Sequence, residues 1–210
     1  MLLYLYYDII IINVIIVIHP RERLGGIMKE IETRIIDINV DEIRKKLLKL
    51  NAPKVKQENQ INNIYDFSDK RLINSKGYAR IRSIQDELTN STLHYITTKK
   101  LISQEKYKVM EEHETEIKDE IAAKGIFESL GLELVQSIKK YRESYKYKNT
   151  LIEIDINEKE FCPFPYIEIE SADEDELEEV VNLLGYSLED TTSKTIYEIL
   201  KSKKVEVKGL

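Results

Sequence analysis

The residues that could do chemistry come in pairs. Charged or polar side chains recur at i and i+2: Glu30, Glu32 and Arg34; Arg80 and Arg82; Tyr95, Thr97 and Lys99; Glu112 and Glu114; Lys140 and Arg142; Glu153 and Asp155; Glu168 and Glu170. Apolar or small residues such as Ile31, Thr33, Ile81, Ile154 and Ile169 stand between them. An extended strand puts i and i+2 on one face. Each segment therefore predicts a strand with one ionisable face and one apolar face. For a single strand this describes a solvated outer face crossed by salt bridges. Repetition along the chain, with like-charged Arg-x-Arg and Glu-x-Glu pairs that repel unless neutralised, points further. If the sheet closes on itself with helices outside, all the charged faces share one lumen. Such a lumen must hold opposing charges, water, metal or an anionic ligand. The cations Arg34, Arg80, Arg82, Lys99, Lys140 and Arg142 suit a polyanion, and Arg offers bidentate forks to phosphate oxygens. The carboxylates Glu30, Glu32, Glu112, Glu114, Glu153, Asp155, Glu168 and Glu170 suit a hard divalent cation, Mg²⁺ or Mn²⁺, that bridges phosphate oxygens. Together the two sets predict a site for a metal-chelated oligophosphate.

The elements that must position these residues follow from periodicity. Strands are expected at 29–37, 58–67, 77–83, 93–100, 106–117, 137–147, 150–157 and 166–171. Val40, Ile43, Leu47 and Leu50 at helical spacing behind Asn39 predict a capped helix. Further helices are expected at 118–130, with Gly125 a weak point and Gly131 a stop, at 173–184 before Gly185, and at 195–201. Antiparallel strands with a few helices make an α+β domain.

Composition narrows the function. Lys plus Arg is 32 and Asp plus Glu is 38, a net charge of −6. That acidity argues against a nucleic-acid partner, which needs a basic footprint. A single Cys162 excludes an internal disulfide framework, and His19, His94 and His113 form no metal motif. There is no glycine-rich phosphate loop, so phosphates would be held by side chains.

The first 27 residues differ from the rest. Leu2 to Ile18 is apolar apart from Asp8 and Asn13. It is at the short limit for a span of ~17–25 residues, and Arg21 and Arg23 follow it. Residues 1–27 are read as an apolar extension, a non-native leader in preference to an anchor. Residues 28–200 form the domain, and 201–210 a tail. Unless 2–18 is an anchor, no membrane partner is expected and the location is cytoplasmic.

The ordered segments carry a resemblance. Glu30-Ile31-Glu32-Thr33-Arg34 resembles the Glu-x-Glu-x-Lys opening of the CYTH superfamily, the triphosphate tunnel metalloenzymes. Tyr65-Asp66-Phe67, Ala79-Arg80-Ile81-Arg82, Ile96-Thr97-Thr98-Lys99, Glu112-His113-Glu114, Lys140-Tyr141-Arg142, Ile154-Asp155 and Phe164-Pro165-Tyr166-Ile167-Glu168-Ile169-Glu170 continue it in order. The resemblance spans about 28–200. It implies an eight-stranded antiparallel β-barrel forming a tunnel with flanking helices. It also implies metal-dependent hydrolysis of a triphosphate, or alternatively class IV cyclisation of ATP to cyclic AMP and pyrophosphate. A polyphosphate-binding module without turnover is a further alternative. Substrates of this kind are tripolyphosphate, ATP and thiamine triphosphate. Phosphate would be bound by Arg34, Arg80, Arg82, Lys99, Lys140 and Arg142, with Arg34 and Lys99 catalytic. Mg²⁺ or Mn²⁺ would be held by Glu30, Glu32, Glu112, Glu114, Asp155, Glu168 and Glu170. The protein would be a monomer or homodimer. Arg34 replaces the family's Lys, and Met110 stands where an Arg is usual, with Lys108 two residues earlier. Arg is effectively always protonated, so Arg34 fits a phosphate clamp and not a proton acceptor.

Other residues have plainer readings. Cys162 is a packed loop residue, and His94 and His113 point away from the charged faces. Tyr65, Tyr78 and Tyr95 belong to core packing or the tunnel mouth. Lys194 resembles a basic residue that closes the tunnel in some members. Asp173 to Glu176 is the negative start of a helix.

Overall fold

A computed structural model describes the backbone of residues 22–24 and 27–205 and the side chains from residue 31 to residue 205. The strands are β1 (Glu22–Leu24), β2 (Ile27–Ile36), β3 (Lys54–Asp66), β4 (Tyr78–Asp86), β5 (Ser91–Gln104), β6 (Lys108–Ile117), β7 (Glu133–Tyr147), β8 (Thr150–Asn157) and β9 (Tyr166–Ser171). All pairings are antiparallel, in the order β1-β2-β6-β5-β4-β3-β7-β8-β9, and β2 also pairs with β9. That last pairing closes β2 to β9 into an eight-stranded barrel. Closure works because β2 is shared lengthwise: 28–32 pair with β6 and 31–36 with β9. The predicted α+β barrel is what forms. β1 lies along 27–29; residues 1–21, and with them the apolar stretch, fall outside the described residues.

Several strands outrun their sequence signal. β3, β5 and β7 extend to 13, 14 and 15 residues. Their ends carry residues such as Lys54, paired with Glu143 of β7, and Gln104, bonded to Glu198, so no alternation marks them.

The helices are α1 (Val40–Lys49), α2 (Arg71–Asn74), α3 (Glu120–Ser129), α4 (Glu174–Leu183) and α5 (Ile196–Ser202). Asn39 caps α1 by accepting from Asp41 N and Glu42 N at 3.1 and 3.2 Å. Gly125 does not interrupt α3. Gly185 follows α4 with a positive φ of 77°, the left-handed stop that glycine permits. α2 was not foreseen. It is held by Asp66, which is fully buried and accepts from the N–H of Phe67, Leu72 and Ile73 at 2.7, 3.0 and 2.8 Å. α5 runs past the expected domain end at residue 200, and Val205 packs against the core below it. Residues 206–210 fall outside the described residues.

The helices bury the apolar outer faces of the strands. Ile43 and Leu47 of α1, Leu177, Val180 and Val181 of α4 and Leu184 just after it pack with Ile152, Ile154, Ile167 and Ile169. Ala123 and Phe127 of α3 cover Tyr65, Ala79 and Ile81. Each such side chain, fully buried, is worth about 1.5–3 kcal/mol. Burial outside thus forces the alternate, charged residues inward. Among the described residues no helix is long and apolar enough to cross a membrane.

Candidate functional site

The lumen is a cavity of about 280 Å³ lined by Glu32, Arg34, Arg80, Arg82, Lys99, Lys108, Glu112, Lys140, Arg142, Glu153, Glu168 and Glu170, among others. Every predicted cation therefore faces it. The Glu30 side chain lies outside the described residues.

The charges are paired across strands. Arg142 is the densest node. Its Nε and Nη2 donate to Asp155 at 2.6 and 2.7 Å, Nη2 also reaches Glu168 at 2.9 Å, and Nη1 pairs with Glu153. Lys140 holds the same Asp155 at 2.8 Å. Arg34 donates from Nε to Glu168 at 2.7 Å, from Nη2 to Glu32 at 2.8 Å and from Nη1 to the Lys194 carbonyl at 2.9 Å. Lys108 pairs with Glu32. On the opposite wall, Glu114 accepts from Arg82 at 2.6 Å, Thr97 at 2.7 Å and Arg80 at 3.4 Å. Lys99 lies 3.1 Å from Glu112.

This pairing sets the protonation states. Burial opposes the charge on Glu168, but Arg34, Arg142 and Lys140 hold its pKa well below the usual range. Burial likewise opposes ionisation of Glu114, which Arg82 and Arg80 bring down to about 2. Glu32 and Glu153 are lowered against burial chiefly by Lys108 and Arg142, respectively. Lys140 is pressed down by burial and by Arg142. Glu32, Glu114, Glu153 and Glu168 therefore stay ionised at neutral pH, which metal binding requires.

Two further features of the lumen bear on what it could hold. The buried Nε–H groups of Arg80 and Arg82 have no acceptor within the described protein. Glu153, Glu168 and Glu170 bring one carboxylate oxygen each within 4.8 Å of one another. Oxygen donors so gathered fit a hard divalent cation.

The expected carboxylates thus divide. Glu168 and Glu170 come together, joined by Glu153. Glu112 and Glu114 lie on the other wall with Lys99, Arg80 and Arg82, and Asp155 is engaged by Arg142 and Lys140. Lys56, Asn62, Lys108, Asn157 and Tyr166 also line the cavity. The i, i+2 series Lys56, Glu58, Gln60, Asn62 could have flagged β3, but neutral Gln and Asn weakened it. Elsewhere the plainer readings hold. Cys162 is buried with its Sγ on the Phe164 carbonyl. His113 is exposed beside Glu111, and His94 sits near Ser83 and Glu120. Tyr65 packs edge-on against Phe127, whereas Tyr78 lines the cavity. Lys194 contributes its backbone carbonyl to Arg34.

Comparison with known proteins agrees with this geometry. The PH1012 protein of Pyrococcus horikoshii OT3 is 26% identical, covering 80% of this chain and 98% of that one, with a TM-score of 0.66. The PH1819 protein of the same organism is 24% identical, covering 83% and 99%, with a TM-score of 0.65. HpAC1 from Hippeastrum, which has a dominant triphosphatase activity, shares the fold at 16% identity over 83% and 95%, TM-score 0.58. No curated protein matches the chain. The CYTH domain model matches residues 28–196, from the start of the Glu30–Arg34 strand to the first residue of α5. The chain belongs to the CYTH domain family.

Proposed function

We propose that the protein is a metal-dependent triphosphatase whose substrate lies in the barrel lumen. The observation that carries this reading is the pair of buried guanidinium donors, Arg80 Nε and Arg82 Nε, left without acceptors beside the cavity. A buried unsatisfied donor costs about 1–3 kcal/mol, and phosphate oxygens would satisfy both. Arg80, Arg82 and Lys99 hold the phosphate chain from one wall. Lys140 and Arg142 approach it from the other. Arg34 has three partners already, so it binds phosphate only by exchanging one of them, and its permanent charge suits stabilising a reacting phosphoryl group. Glu153, Glu168 and Glu170 would hold Mg²⁺ or Mn²⁺. When bound, that ion neutralises oligophosphate charge and lowers the pKa of a coordinated water. Glu32, Glu112, Glu114 and Asp155 keep the cations oriented.

A triphosphatase needs only to hold the phosphate chain and a water, and the identifiable lumen chemistry is of that kind. The test is a product assay with tripolyphosphate, ATP and thiamine triphosphate, each with Mg²⁺ and with Mn²⁺. Tripolyphosphate should be cleaved to phosphate and pyrophosphate with kcat/KM at least about tenfold above ATP, or roughly 1.4 kcal/mol in transition-state binding. ATP should yield ADP and phosphate. Cyclic AMP and pyrophosphate as the main products would establish cyclisation instead.

A further inference from the structure

Lys140 of β7 pairs in register with Asn157 of β8, and both line the lumen. Asn157 follows Glu153 and Asp155 at i, i+2 spacing, so the extended backbone of β8 turns all three to the same side. Its side chain belongs to a residue only 8% exposed. The cations on this wall are already paired: Lys140 with Asp155 at 2.8 Å, and Arg142 with Asp155, Glu168 and Glu153. By contrast, the Nδ2 of Asn157 is buried and makes no hydrogen bond among the described residues. The Tyr166 hydroxyl is near enough for the amide to favour its ionised form, but the two do not meet in hydrogen-bonding geometry. Ile138, Phe161 and Tyr166, which pack together in one apolar cluster, line the cavity as well.

A buried amide N–H without an acceptor is destabilising, and it is tolerated where something outside the protein completes it. Arg80 Nε and Arg82 Nε on β4 are in the same position. Around the ring β4 and β8 are separated by β3 and β7, so unsatisfied donors look into the lumen from two sides. An uncharged donor has a particular use on the β7–β8 wall. Another Lys or Arg there would need a buried carboxylate of its own. An amide adds a hydrogen bond to an anion without a counter-charge and, unlike Arg34, has no existing bond to give up. We infer that Asn157 is a substrate-binding residue, its Nδ2–H donating to a phosphate oxygen held beside Lys140. This inference rests on the reading of the lumen as a phosphate site and adds a neutral contact on β8 that the pattern of charges in the sequence does not reveal.

Asn157→Leu separates this role from a structural one, since it keeps the approximate size and removes the donor. Asn157→Ala serves as a second variant that adds no bulk. The full chain would be titrated with tripolyphosphate in EDTA by calorimetry, so that no turnover intervenes, and the free proteins would be unfolded in urea. Both variants should bind at least about tenfold more weakly than the parent, the scale of one hydrogen bond to a charged group. Free Asn157→Leu should unfold at the parent's urea midpoint or above it, because no internal hydrogen bond is lost. Binding by either variant within about twofold of the parent would overturn the inference and leave the phosphate site standing. Lower midpoints in both variants would show that the amide serves the fold, and would overturn it too. A parent that does not bind tripolyphosphate would overturn the phosphate reading itself.

Discussion

Replacing Glu168 by Gln probes the fold and the proposed chemistry together. Glu168 is the carboxylate shared by Arg34, at 2.7 Å, and Arg142, at 2.9 Å, with a side chain only 10% exposed. Two glutamates two residues apart on one strand look mutually repulsive in the sequence, so removing one would seem harmless. The structure reverses that expectation, because both arginines come from other strands. A Gln amide oxygen can keep one guanidinium, but its NH₂ faces the other, donor against donor. One charge-assisted hydrogen bond is lost, at roughly 1.5–3 kcal/mol. The full ~3–5 kcal/mol of an orphaned buried charge is not reached, since Arg34 keeps Glu32 and Arg142 keeps Asp155 and Glu153. Glu168→Gln should therefore unfold about 2 kcal/mol more easily in urea at pH 7. The folded-state pKa of Glu168 lies well below its ordinary 4.5. Its stabilisation is thus fully present above 4.5 and is lost as pH falls toward the folded-state value. The gap between parent and variant should close in acid. In the same samples Mg²⁺-dependent turnover should be lost, because a neutral amide is a poor ligand for a hard cation. Equal midpoints at pH 7, or a gap that widens in acid, would refute the electrostatic account. Full Mg²⁺-dependent activity in the variant would refute the metal assignment.

Gly77→Ala should disturb the site through the backbone: a Cβ there would stand 2.5 Å from the Lys99 carbonyl oxygen, which is main chain and cannot rotate away. A loss of about 1–3 kcal/mol in urea unfolding, the usual cost of overpacking, should come with reduced triphosphate turnover as Lys99 is displaced. A chain beginning at Met28 loses the β1 pairing with 27–29 and keeps every described lumen residue. It should remain soluble and turn over substrate at the parent rate; failure to fold would show that the first 27 residues are structural.

The sequence by itself determined which residues share a face. Period two in 28–34, 80–82 and 166–170 separated Glu32, Arg34, Arg80, Arg82, Glu168 and Glu170 from Ile31, Ile81 and Ile169, because alternation is a property of the extended backbone. Helix ends were legible for the same local reason, in Asn39 and in Gly131 and Gly185. What only the tertiary structure decided is who meets whom. Alternation fixes a face but neither register nor strand neighbours. Six positive and several negative groups facing one lumen are compatible with many pairings. Barrel closure through β2 and β9 chose one, bringing Arg34 to Glu168 and gathering Glu153 with Glu168 and Glu170. It sent Glu112 and Glu114 to Lys99, Arg80 and Arg82 across the lumen. The placement of the C-terminal segment was equally hidden. Thr192 to Val205 shows only a short helix in sequence. Its placement depends on distant partners, such as Gln136 for Tyr197 at a separation of 61 residues and Arg34 for Lys194 at 160, and such contacts exist only once the barrel has formed.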